Sequence, residues 1–155
     1  MFRTLLSGVL SLIIPGPVHF PTEVTDVLQD LKVPYEIVSQ IDDKDTEVGF
    51  YRFRDGMILI DDSVASSTFK LAYVVSHEMI HKVRYENGLW TGDALFEEQV
   101  AILGADRMGR LLGLPHTKTD LKKCLESNGI RMEDVDKVRV EKELEKTFEF
   151  IGTQH

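Results

Sequence analysis

Apolar residues recur along this chain in two periods, and the change from one to the other divides it into elements. Val24, Val27, Leu28 and Leu31 fall at the i, i+3, i+4, i+7 positions of one helical face, so residues 22–32 are predicted to form a helix capped by Thr22 and stopped by Pro34. From 35 to 41 the pattern becomes β-branched and strand-like, and an acidic loop follows at 42–45. Residues 48–54 and 57–61 then flank Asp55-Gly56, the signature of a β-hairpin with a two-residue turn. Helical spacing returns with Phe69, Ala72, Val75, Met79 and Val83, in a segment predicted to start at a Ser66 or Ser67 cap and end near Asn87-Gly88. A second helix is predicted over 93–112, stopped by Gly113 and Pro115, a third over 119–127, ended by Asn128-Gly129, and a fourth over 133–150.

Three short strands followed by helices predict one α+β domain over 1–155, with a three-stranded sheet packed on helices, a core at about 20–115 and C-terminal helices from 116 onward. At 155 residues with 43% hydrophobic and 28% charged residues, the chain can bury a sizeable core without disulfides. Its single cysteine, Cys124, excludes an internal disulfide and any Cys-rich zinc cluster, and fits a reducing compartment. The net charge of −8 argues against a phosphate-binding surface, so no nucleic acid is expected as a partner. The apolar run 5–14, interrupted by Ser7, Gly8 and Ser11, is too short to span a bilayer. A helix packed on the domain, a signal-peptide core and an interfacial anchor all remain open for it. The packed helix is favoured, because no small-x-small cleavage site follows, and with it a cytoplasmic location and retention of Met1.

Charge and composition leave the chemistry open; the stretch VSHEMIHKVRYENG does not. Residues i and i+4 of a helix lie one above the other, so His77 and His81 can aim two imidazoles at one point, as two ligands of a tetrahedral zinc ion do. Glu78 is rotated by about 100° from His77, within reach of a water at the metal without being a ligand. Such a carboxylate can act as the general base of a metallopeptidase. The alternative is that these are satisfied polar residues on a buried helix. Ala72, Val74, Val75, Met79 and Ile80 make this helix apolar on several sides, so two histidines and a glutamate on it need partners in either case.

A catalytic zinc site takes three protein ligands and keeps a position for water. Cys124 is alone and far along the chain, and His116 lies beyond the next helix, so the third ligand is sought in LFEEQVAILGA, residues 95–105. On a helical wheel Gln99, Asp106 and Arg110 mark a polar side, and Glu97 lies nearly opposite it, in line with Ala101, Gly104 and Met108. Glu97 is therefore favoured as the third ligand over Glu98, which sits on a flank. The small Ala101 and Gly104 would let this helix come close to the HExxH helix.

HExxH on one helix with a glutamate on the next resembles the gluzincin pattern, and the surroundings resemble the small metallopeptidase-like domains of the ImmA/IrrE family. That family follows its HExxH helix with a motif like EExANxFAxxLLxP, whose spacing residues 97–105 repeat, with Leu111, Leu112 and Pro115 echoing its end about a turn late. The resemblance covers about residues 20–115. It implies a zincin-like α+β fold, a Zn2+ cofactor, peptide-bond hydrolysis, and a repressor-like protein substrate in a phage or mobile-element setting. Ala101 stands where the family has asparagine, so an orienting contact to a ligand histidine is missing or comes from elsewhere. HEMIH also resembles the motif of SprT-like proteases, whose third ligand is a later histidine in an HGxxF context; no histidine occurs between His81 and His116. A third possibility is a zinc-containing module that binds a protein without cleaving it. The expectation is a zinc metallopeptidase with Glu78 as base and His77, His81 and Glu97 as ligands. An edge of the sheet, at 57–61 or the neighbouring strand, would pair with extended protein or peptide substrate.

Overall fold

The computed structural model of the protein describes residues 34–39, 41, 49–64, 68–111 and 118–153. The N-terminal apolar run, the predicted helix over 22–32, the acidic loop and the serine caps lie outside these residues. Among the described residues are three strands, β1 (Tyr35–Val38), β2 (Gly49–Arg52) and β3 (Met57–Asp61), and four α-helices. The helices are α1 (Thr68–Glu86), α2 (Ala94–Leu111), α3 (Lys118–Ser127) and α4 (Lys137–Thr153). The α+β class and the small three-stranded sheet are as expected. No helix of the described residues is long and apolar enough to cross a membrane.

The sheet is mixed, in the order β1-β3-β2. β1 runs parallel to β3, with Tyr35 opposite Ile58, and β2 runs antiparallel to it, with Gly49 opposite Ile60 and Arg52 opposite Met57. Among the described residues β3 is thus the central strand, flanked by β1 and β2, so 57–61 is not an edge. The hairpin forms where predicted, but its connection is four residues wide, Phe53 to Gly56, because Arg52 is the last residue to pair. The Arg52 guanidinium holds the Asp55 carboxylate at 2.6 Å, the Met57 amide donates to the same carboxylate at 3.2 Å, and Gly56 takes a φ of +71° to close the loop back onto the Arg52 carbonyl.

α1 lies across the sheet and meets β2, β3, α2 and α4. Its Val75, Met79, Ile80 and Val83 join Ile58 and Ile60 of β3, Phe96, Val100 and Met108 of α2, and Val140, Leu144 and Ile151 of α4 in one buried cluster. The core therefore extends past residue 115, and α4 is part of it. At Gly104 a Cβ would come within 2.9 Å of Ile80 Cγ1, so the missing side chain sets the close approach of α2 to α1 that its small residues predict. Both helix stops read from Asn-Gly pairs are present. Gly88 and Gly129 have φ of +72° and +75°, and the amides of Leu89 and Ile130 donate five residues back, to the carbonyls of Arg84 and Leu125. α4 starts later than the predicted residue 133. Met132–Asp134 forms a short 3-10 turn, and the Asp136 carboxylate then caps the helix by accepting from the Arg139 amide at 3.1 Å.

Candidate metal centre

Two helices and the turn between them build the site. The αL turn at Gly88 ends α1 and sends the chain back, and Asp93 opens α2 by accepting the Phe96 amide at 3.1 Å. His77 and His81, one turn apart on α1, stand with ring centroids 4.9 Å apart and planes at 80°. Both Nε2 atoms meet the same carboxylate, that of Glu98: His77 Nε2 lies 3.2 Å from Oε1 and His81 Nε2 2.9 Å from Oε2. Burial would raise the Glu98 pKa, but the hydrogen bonds and charges of the two imidazoles prevail and hold it well below the usual carboxylate range.

Glu97, the favoured third ligand, is elsewhere. It is fully buried, as its place on the wheel implies, but both its oxygens are taken by other groups. Arg84 Nε donates to Oε1 at 2.7 Å and Nη2 to Oε2 at 3.0 Å, while the Thr91 amide and hydroxyl donate to Oε2 at 3.0 and 2.9 Å. Arg84 also reaches the Leu89 carbonyl at 2.8 Å and the Thr147 hydroxyl at 3.1 Å, so one guanidinium joins α1, α2, α4 and the connection between the first two. Burial would push the Glu97 carboxyl up, but Arg84 and Thr91 outweigh it and hold the pKa below its ordinary 4.5. The wheel located the buried carboxylate correctly and gave it the wrong partner. The missed signal was Arg84, on the same face of the HExxH helix as His77 and His81, which also needed a buried counter-charge.

His77, His81 and Glu98 each offer one ligand atom, and these atoms all lie within 4.8 Å of one another. A tetrahedral ion with bonds of about 2.0–2.2 Å needs donors about 3.4 Å apart, so the group can hold a metal ion with small adjustments. Glu78 is 8% exposed, with Oε2 3.9 Å from His77 Nε2. His81 Nδ1 is buried and has no hydrogen-bond partner among the described residues.

A cleft of about 750 Å³ opens over the group, with β2 along one wall and α2 and α3 along the other. Cys124, distant in sequence, lines it from α3 but is not among the converging donors. β2 comes so close to α1 that a Cβ at Gly49 would collide with Val74 and stand 3.2 Å from Glu78 Cγ. Gly49→Ala is therefore expected to displace β2 or Glu78 and to cost about 1–3 kcal/mol of stability, the usual scale of overpacking. Urea denaturation of the variant measures it, and an unchanged midpoint would show that the wall yields freely.

No protein-family model, curated protein or solved structure matches the chain.

Proposed function

We propose that the chain is a zinc-dependent peptidase of the zincin type, hydrolysing peptide bonds of a polypeptide laid along β2. The observation that carries this reading is the meeting of two imidazole Nε2 atoms and the Glu98 carboxylate, with a further carboxylate, Glu78, beside them and a cleft above. The third ligand in this reading is Glu98. Glu97 serves to anchor α2 to α1.

His77, His81 and Glu98 would hold the zinc, which would supply a Lewis acid for a carbonyl oxygen and acidify water. The rest belongs to the chain. Glu78 takes the proton of the attacking water and returns it to the leaving amine, a role suited to a carboxylate that is almost buried yet faces the cleft. β2 pairs only with β3 among the described residues, and its outer backbone groups can hold an extended substrate. The later-histidine arrangement of SprT-like proteases has no counterpart among the described residues, and His116 lies outside them. The unpartnered His81 Nδ1 favours one further reading, a zinc-containing protein-binding module without turnover, because unsupported ligand histidines hold metal less tightly.

Metal analysis of the purified chain, with hydrolysis of a randomised oligopeptide mixture, tests the proposal. One zinc per chain and cleavage that stops on chelation are expected. Glu98→Ala and a His77→Ala, His81→Ala double variant should lose the metal. Unchanged zinc in either, or no cleavage by the zinc-loaded chain, would count against the peptidase.

A further inference from the structure

One end of the cleft is aromatic. Phe53 from the β2–β3 turn and Trp90 from the α1–α2 connection line it, and Tyr85 from the last turn of α1 packs against both rings from outside the lining. Phe53 lies with its ring centroid 4.5 Å from Tyr85 and 5.4 Å from Trp90, and the buried Tyr51 ring lies 5.2 Å from Phe53, edge-on. Trp90 stands 5.6 Å from the His81 ring, so the cluster borders the metal donors directly. Its members are not ordinary core: Phe53 is 45% and Tyr85 46% exposed, and Phe50, which lines the cleft from β2, is 42% exposed. Contiguous exposed rings at the mouth of a cleft mark a binding surface.

The charges around the rings decide what they would take. Glu86 is engaged by Lys82 at 2.8 Å and by the Tyr51 hydroxyl at 2.9 Å, and Asp55 by Arg52. Both carboxylates, Glu86 and Asp55, are paired, so among the described residues the cluster presents mainly apolar faces.

We infer that this aromatic cluster is the side-chain subsite of the cleft, selecting polypeptides that carry a large apolar residue, aromatic or leucine-like, at a fixed distance from the bond held at His77, His81 and Glu98. The inference rests on the peptidase reading and adds the substrate class to it. A chain extended along the edge of β2 runs past Phe50 toward the Phe53 turn, and successive side chains alternate in direction, so every second one can face the rings.

The zinc-loaded full chain, given oligopeptides randomised at every position, should yield products enriched in Phe, Tyr, Trp or Leu at one position relative to the cut. In Phe53→Ser and Tyr85→Ser the ratio of kcat/KM for peptides with Phe and with Gly at that position should fall by about tenfold. Both side chains are nearly half exposed, and an unchanged thermal midpoint verifies that the variants fold. Trp90 is the only tryptophan, so its emission gives a readout independent of turnover. In Glu78→Gln protein a blocked hexapeptide containing Phe should shift it saturably, and the Gly counterpart should not. Hydrolysis without apolar preference, a preference for basic residues, or a preference untouched by both serine variants would overturn the subsite and leave the peptidase standing. No hydrolysis of any peptide, with the Trp90 response to Phe intact, would overturn the peptidase and uphold the subsite. Loss of both signals would overturn both.

Discussion

Glu78→Gln is expected to keep the metal and to lower kcat for peptide hydrolysis by about 10²–10⁴-fold, the usual contribution of a general base, with little change in KM. Gln has nearly the shape of Glu, so the contact of residue 78 with Gly49 and the packing of β2 on α1 survive the change. The amide nitrogen cannot accept the proton of the attacking water, so the chemical step alone is impaired. Metal content and steady-state kinetics on one cleaved peptide decide it. Full activity in Glu78→Gln would remove Glu78 from the reaction, and loss of metal along with activity would make it a ligand instead.

Arg84→Met should lower the stability of the fold by about 3–5 kcal/mol, because it leaves a buried carboxylate without its counter-charge. Arg84 and Glu97 are both fully buried, and two parallel N–H···O bonds join them. Replacing both, as Arg84→Met with Glu97→Met, should recover a large part of that loss, since an apolar pair of similar volume needs no counter-charge. The pH dependence has a definite sign. The folded-state pKa of Glu97 is depressed below 4.5, so its contribution is in place above about pH 4.5 and is lost as pH falls through the lower folded value. The stability gap between the native chain and Arg84→Met should therefore narrow on acidification. Urea denaturation at several pH values measures the gap, and a gap that is small at pH 7 or that widens in acid would contradict the assignment.

What could be read from the chain depended on whether a feature was local. The i, i+4 spacing of His77 and His81, the hairpin around Asp55-Gly56, and the stops at Gly88 and Gly129 are each decided by a few consecutive residues, and each is found. Choosing between Glu97 and Glu98 required knowing what faces α2. A helical wheel ranks burial, but it cannot tell a histidine pair from an arginine on the opposing helix. The positions of Trp90 and Cys124 are non-local in the same way, since a loop and a distant helix carry them to the cleft. The central place of β3 also depends on a parallel pairing between β1 and β3 that no local pattern announces. The α-helix of α4 begins later than its composition predicts because Met132–Asp134 forms a 3-10 turn and the Asp136 cap sets the start.

A strand edge open to a peptide is equally open to the same strand of another molecule, the usual route to edge-to-edge aggregation. β2 limits that risk by brevity: Gly49–Arg52 has four residues, a glycine at one end and an ion-paired arginine at the other. Outward-facing backbone groups alternate along a strand, so an edge of this length can make only about two to four hydrogen bonds to whatever lies against it. Such a grip is too short to template a growing sheet. It is also too weak to hold a substrate by its backbone alone, so guests would be told apart by their side chains and those that lack a suitable one would be released quickly.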